Sequence, residues 1–246
     1  HLWEFDEGRG NIAYDSEGDG YPVNGVLNNA QWRVVDGGYG VQITGADNSY
    51  VSFANPIGQF GTQDFTVAFW IQTSDGSLAV ADLVGNRAAT GHGNFFAIRM
   101  TNDGYVSAEV DQDGAGTNYI GFRSTQNGLN DGNWHHIAVV RAGNTLTLYI
   151  DGYASNSGTG AGVANINNGL LFKIGRSLVD PNTPRFALRA LYDDLATYNY
   201  ALSADDIAEI VGVSPSPQPQ SQNHLWNFDE GTGNIARDSA GGRNAV

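Results

Sequence analysis

The sequence predicts an all-β protein: a two-sheet antiparallel β-sandwich finished by one short C-terminal helix. Three observations lead there. Residues 133–152 read NWHHIAVVRAGNTLTLYIDG, two runs dense in β-branched and aromatic residues around a short Arg-Ala-Gly-Asn turn, which is a hairpin signal. Turn clusters of Gly, Asn and Asp recur throughout a chain that holds 33 Gly and 7 Pro, and such residues close turns because they tolerate the backbone angles required. Few segments repeat apolar residues at helical spacing.

Strands are expected near residues 2–5, 26–35, 40–44, 49–54, 64–72, 78–84, 94–100, 105–111, 119–123, 134–141, 145–151, 170–175 and 186–199. In the second arm of the hairpin Leu146, Leu148 and Ile150 share one face, while Thr145, Thr147 and Tyr149 share the other. That alternation marks a strand with one face in a core and one nearer water. The first arm is apolar on both faces, as a central strand covered on both sides should be. A helix is expected over Ala204–Val211, with Ser203 as N-cap and Asp206 three residues on as a capping-box variant. Ile207, Ile210 and Val211 are then the residues to face the sandwich.

Composition narrows the function classes. A chain of 246 residues with 41% hydrophobic residues can bury a proper core, and sandwiches of this length often form one unit. No apolar run approaches the ~18 residues of a membrane span. The net charge is −14, from 12 Lys and Arg against 26 Asp and Glu, so nucleic acid and anionic lipid would be repelled. Such a surface suits an extracellular medium and divalent cations. Cysteine is absent, which removes disulfides, thiolate metal sites and a Cys nucleophile. No leader is visible ahead of His1, which suggests a processed or excised piece of a secreted or cell-surface protein.

Residues 224–246 repeat residues 1–23: HLWNFDEGTGNIARDSAGGRNAV overlays HLWEFDEGRGNIAYDSEGDGYPV with fifteen of twenty-three positions identical. Between the copies, residues 212–223 read GVSPSPQPQSQN, a semi-extended Pro, Ser and Gln spacer with nothing to bury. The chain therefore divides into a complete module at 1–211, a linker at 212–223 and the truncated start of a second module at 224–246. Tandem repetition in the parent chain follows. A 23-residue piece cannot build its own core, so self-association through residues 224–246 is expected, with the fragment seated where a first strand belongs.

Several residues invite chemistry. Glu109, Asp111 and Asp113 lie two apart, so all three project from one face of an extended strand. Retaining glycoside hydrolysis needs carboxyls ~5–5.5 Å apart, whereas strand residues i and i+4 sit ~13 Å apart at Cα; a solvent-facing acidic row, or a weak cation or sugar contact, fits better. His135 and His136 are adjacent on a strand and face opposite sides, so they cannot share an ion. No G-x-S-x-G elbow is present, and the glycine run GTGAGVANINNG precedes no helix, which leaves a nucleotide site without support. Sugar binding needs an aromatic face and planar amides or carboxylates. The loops at 86–94, 111–119 and 177–185 offer Asn86, Arg87, His92, Asn94, Asp111, Asp113, Asn118, Tyr119 and Arg185. Trp3, Trp32, Trp70 and Trp134 are read as core, and Trp226 as the tail copy of Trp3.

The strand WHHIA, a short turn and then LYIDG resemble the signature of laminin G-like domains, part of the concanavalin A-like jelly-roll group. The segments WEFDEGRGNIAYDSEGDG, VDGGYGVQITG, FTVAFWI and YDDLATYNYALSADDIAEI stand in that family's order across residues 1–211. The resemblance implies a jelly roll and one structural Ca²⁺, held where the first strand, an early Asp-Gly turn and the last strand meet. The matching positions are Phe5 or Asp6, the turn Asp36-Gly37-Gly38, and Asp193; Asp193 and Asp194 face opposite sides of a strand, so only one can serve, and the family pattern favours Asp193. Jelly-roll glycosidases carry E-x-D-x-E where this chain has Glu109, Asp111 and Asp113, the last one methylene short. Since this architecture serves lectins, adhesins, spacers and hydrolases alike, three functions are expected in descending order. The first is a non-catalytic adhesion module for a carbohydrate or cell-surface ligand. The second is a structural repeat of a stalk or filament. The third is a glycosidase using Glu109 and Asp113.

Overall fold

The computed structural model describes residues 1–17, 20–35, 37–87, 91–176 and 187–213. These residues fall within one unit that runs from His1 to Val213; the linker from residue 214 on and the repeat copy, with Trp226 and the docking expected of it, lie outside the described residues. In chain order the strands are β1 (Leu2–Trp3), β2 (Ile12–Ala13), β3 (Gly25–Asn28), β4 (Gln31–Val35), β5 (Gly38–Thr44), β6 (Tyr50–Phe53), β7 (Phe65–Gln72) and β8 (Val80–Gly85). There follow β9 (Phe95–Thr101), β10 (Val106–Asp111), β11 (Ile120–Arg123), β12 (Trp134–Ala142), β13 (Thr145–Ile150), β14 (Tyr153–Thr159), β15 (Phe172–Ile174), β16 (Arg189–Tyr198) and the helix α1 (Ala204–Val211).

The named strands pair antiparallel into two sheets, as the sequence predicts. The first runs β14-β13-β12-β7-β16-β5-β4, with β1 also on β16; the second runs β11-β10-β9-β8-β15-β6-β3-β2. Large rings fill the space between them. Trp3, Phe5, Phe53, Phe65, Phe69, Phe96 and Phe172 are fully buried, and full burial of such a side chain stabilises by ~1.5–3 kcal/mol.

The organising hairpin is β12 and β13, in register from Ile137↔Ile150 to Ala142↔Thr145. Gly143 turns it at φ +58°, an angle that side chains with a Cβ resist. Leu146, Leu148 and Ile150 enter the main core. The outer face of β12 is covered too, because Ala138 and Val140 join Ala68, Tyr149 and Ile207 beneath α1. Ser203 caps α1 reciprocally with Asp206, and Gly212 ends it in the left-handed conformation. The expected facing set is corrected at one position: Ile207 is buried with Ala208, but Ile210 is 42% exposed.

Two other departures have local causes. The single strand expected at 26–35 is two, β3 and β4, split between the sheets where Asn29 takes φ +47°. The polar β14 gave no apolar alternation to read, yet it forms the edge of the first sheet. It is tied to the second sheet by side chains: Asn156 Nδ2 donates to Arg123 O at 2.8 Å, Ser155 Oγ donates to Gln126 Oε1 at 2.6 Å, and Thr125 N donates to Ser155 Oγ at 3.0 Å.

Candidate functional site

Alternation on the second sheet places a row of charges opposite its core face. On β10, Val106, Ala108 and Val110 enter the core, so Glu109 and Asp111 lie on the other side. On β9, Phe96, Ile98 and Met100 point inward, leaving Phe95 and Arg99 beside that row. Glu109 Oε2 accepts from Arg87 Nη1 at 2.9 Å, and Glu109 Oε1 stands 3.5 Å from Arg99 Nη1. Arg99 Nε in turn lies 3.3 Å from Asp82 Oδ1. Asp82 and Arg87 are buried. The Arg87 guanidinium sits 4.0 Å from the Phe95 ring centroid, and its Nη2 donates to Gly91 O at 2.6 Å.

At the rim end of this row, buried Asp111 organises the loop. Its Oδ2 lies 2.7 Å from His92 Nδ1 and accepts from Gly93 N at 3.2 Å, while its Oδ1 accepts from Gln112 N at 2.9 Å. The His92 ring meets the Tyr119 ring edge-on at 5.0 Å, and Tyr119 is 40% exposed. Burial, then the nearby Glu109 charge, raises the pKa of the Tyr119 hydroxyl above its ordinary value. Arg87, His92, Asp111 and Tyr119 therefore come together. Asn86 faces inward: its Oδ1 accepts from Phe96 N and its Nδ2 donates to Gly58 O. Asn94 donates to Asn165 O at 3.0 Å, and its buried Oδ1 has no hydrogen-bond partner among the described residues. Asn118 donates to Gln112 Oε1 at 3.2 Å. Residues 88–90 and the loop at 177–185 with Arg185 lie outside the described residues.

Asp113 is part of a turn. Its Oδ1 accepts from Ala115 N and Thr117 N, and the Thr117 hydrogen bonds hold its carboxyl below the usual carboxylate range. A general acid for glycoside cleavage needs a raised pKa, so Asp113 is ill suited to that part. Both oxygens of Glu109 face guanidinium groups instead of open space. Asp82 and Arg99 went unnoticed in the sequence. Their signal was a charge set inside an otherwise apolar strand, VADLVG for one and FFAIRMT for the other.

A second cluster forms where β1, β5 and β16 converge. Phe5 is buried and takes φ +57°, which swings the chain so that Asp6 Oδ1 accepts from Tyr39 N at 2.8 Å. Gly38 makes this approach feasible, since a Cβ there would stand 2.1 Å from Asp6 Oδ1. On β16 a bulge falls between Asp193 and Ala196, and Asp194 takes φ +45°. Strict alternation therefore fails at this point, and it no longer separates Asp193 from Asp194. Burial, followed by the charges of Asp194 and Asp6, pushes the Asp193 carboxyl up to about 7. Asp194 is raised as well, by burial and then by Glu4 and Asp6. Crowded carboxylates with hard oxygen donors suit Ca²⁺. Among the described residues, however, no three His, Asp or Glu side chains form a metal-holding group, so backbone oxygens would have to complete the set; Asp36 lies outside the described residues.

The histidine pair behaves as alternation requires. His135 contacts Asp151 at 2.8 Å and Asp131 at 3.3 Å. His136 is buried on the other face, edge-on to Trp70 at 5.2 Å, and burial lowers its pKa to about 4. Of the tryptophans, Trp3 is core as expected, whereas Trp32, Trp70 and Trp134 are half-buried. No helix among the described residues is long and apolar enough to cross a membrane.

Residues 44–208 match a laminin G family model described as the concanavalin A-like lectin/glucanases superfamily. No curated protein matches the sequence. Among solved structures, the chain is similar to the binding domain of Paraclostridial Mosquitocidal Protein 1, at 20% identity and TM-score 0.63, over 89% of this chain and 54% of that one. It is similar to the botulinum neurotoxin serotype D/C VPI 5993 binding domain, at 14% identity and TM-score 0.64, over 92% and 53%. A third likeness, at 12% identity and TM-score 0.64 over 83% and 49%, is to botulinum neurotoxin type C, which depends on interaction with two ganglioside molecules to enter cells. The chain spans about half the length of these structures, and at such identities the likeness is one of fold.

Proposed function

We propose that this chain, which belongs to the concanavalin A-like lectin/glucanases superfamily, is a non-catalytic binding module for a carbohydrate displayed on a surface or polysaccharide. One observation carries the reading: the rim at 86–119 presents the exposed Tyr119 ring beside His92, while the Glu109 carboxylate is locked between Arg87 and Arg99. An exposed aromatic ring with fixed polar neighbours is what a sugar needs, and a carboxylate paired with a guanidinium on each side is placed as a structural partner, which favours binding over hydrolysis. Several solved structures of similar fold are binding domains, and another is of a toxin whose cell entry depends on interaction with gangliosides. A glycan array should show saturable binding that Tyr119→Ala weakens. Release of reducing sugar by the wild type that vanishes in Glu109→Gln would instead make the module a hydrolase.

The same reading includes a structural Ca²⁺ at Asp6, Asp193 and the Gly38 turn, an extracellular setting, and tandem copies in the parent chain. The clustered acids with raised pKa values support the ion, and the 23-residue repeat supports the array. A chelator should lower the melting temperature of protein prepared with calcium; an unchanged value counts against the ion.

A further inference from the structure

We propose that the groove between the 56–63 turn and the end of β16 is a binding site for an uncharged hexose-type saccharide, distinct from the rim at 86–119. The inference rests on the carbohydrate reading above and adds to it a place and a sugar class.

The groove encloses about 500 Å³, with Phe60, Gln63, Tyr198, Asn199 and Tyr200 among its walls, a volume within the range of ligand pockets. Its aromatic surfaces are set by the core beneath. Phe60 stacks on buried Phe65 at 4.4 Å and 10°. Tyr198 and Tyr200 meet edge-on at 5.5 Å, and Tyr200 leaves 53% of its surface open. A ring in that state offers a face to the C–H side of a pyranose.

The backbone around these rings is fixed. Buried Arg141 donates to Gly61 O at 2.8 Å and from its Nε to Gln63 O at 2.9 Å. On the other wall, Thr66 Oγ1 donates to Tyr200 O at 3.0 Å and accepts from Leu202 N at 2.9 Å. Gln59, also on the wall, is spent on structure: its amide is bonded to Leu170 O, Asn168 N and Gly169 N. The side-chain amides of Gln63 and Asn199, by contrast, make no hydrogen bond among the described residues. Two planar donor–acceptor groups thus stand free beside two tyrosine rings in a rigid frame, and hydroxyl pairs on a sugar match that arrangement.

Charge selects the class of sugar. Neither Lys nor Arg lines the groove; the carboxylate Glu17 does, and so does His1, whose amino group is spent on Thr197 O and whose ring pairs with Asp15. The Glu17 charge also contributes, after burial and Tyr200, to raising the pKa of the Tyr198 hydroxyl. With a net charge of −14 on the chain, sialylated, sulfated and uronic saccharides are disfavoured there.

The test uses the full chain on an array carrying neutral hexose oligosaccharides, sialylated and sulfated glycans and ganglioside head groups, with hits titrated calorimetrically. Tyr200→Ala and Gln63→Ala, each checked for an unchanged circular dichroism spectrum and melting point, should weaken neutral-hexose binding by roughly tenfold. Tyr200→Phe, which keeps the ring, should retain binding, and Tyr119→Ala should weaken only those ligands that the two groove variants leave unaffected. Neutral binding that survives both groove variants and disappears in Tyr119→Ala overturns the groove and keeps the rim. Binding confined to charged glycans also overturns the groove. A wild type that binds no glycan overturns the carbohydrate reading itself.

Discussion

Replacing Arg141 with Met tests how the groove end of the sandwich is held. The side chain is 1% exposed and lies 4.7 Å from the Phe65 ring centroid. Burial lowers its pKa to about 10, so the guanidinium remains charged at neutral pH. It donates to three carbonyl oxygens: Gln63 O and Ala164 O at 2.9 Å each, and Gly61 O at 2.8 Å. Methionine keeps the stem and its packing but removes every donor. Each buried acceptor left unpaired costs ~1–3 kcal/mol. Against this stands the desolvation cost of the buried cation, which the Met variant no longer bears. With three carbonyl oxygens losing their donor, the net loss should be about 3–5 kcal/mol. For a unit of this size ~1 kcal/mol moves the melting point by ~2–4 °C, so a fall of roughly 6–20 °C is expected by circular dichroism, with a matching drop in urea midpoint. Arg141→Lys should fall in between, since one ammonium cannot span three carbonyls. A Met variant within ~1 kcal/mol of wild type would refute the account of Arg141 as the clamp on this turn.

Three further outcomes are expected. Asp193 has a folded pKa of about 7 against an ordinary 3.8; the native state then retains a proton that the unfolded chain releases, and calcium-free protein should lose stability as pH rises from about 4 to about 7 and change little above it. The full shift would be worth ~4 kcal/mol, cut by solvent screening to ~1–2 kcal/mol; Asp193→Asn should flatten the thermal-melt profile, and a wild-type profile already flat would refute the shift. Gly38→Ala would press a methyl group against Asp6 Oδ1, break the bond from Tyr39 N at a cost of ~1 kcal/mol, and abolish any calcium-dependent rise in melting temperature, which differential scanning calorimetry with and without chelator reads directly. Ser203→Ala removes the reciprocal cap of α1 and should destabilise by ~1 kcal/mol in urea titration.

What could be read in the sequence was whatever repeats at short range. The β12–β13 hairpin declared itself because Leu146, Leu148 and Ile150 alternate with Thr145, Thr147 and Tyr149, and the Ser203–Asp206 cap lies within four residues of itself. β14 stayed hidden because YASNSGT carries no apolar period; its place is set by neighbours, not by its own side chains. The break at Asn29 needed a left-handed residue that sequence pattern alone does not demand. In the rim, Arg87, His92, Asp111 and Tyr119 were legible among nine polar residues of three loops, but not as the four that meet, and their link to Arg99 and Asp82 arises only from pairing across β8, β9 and β10. The groove was the least legible part. Gln63 and Tyr200 come from segments 137 positions apart, and no local pattern joins them.

The lacing of β14 to the second sheet through Asn156, Ser155 and Thr125 bears on how copies of this unit can join. That margin is joined by side chains across the sandwich, whereas the opposite end of the same sheet finishes in β4, where Val34 is 79% exposed, and the second sheet finishes in β2. A strand donated by another copy would therefore meet a sheet margin at β4 or β2 more readily than at β14.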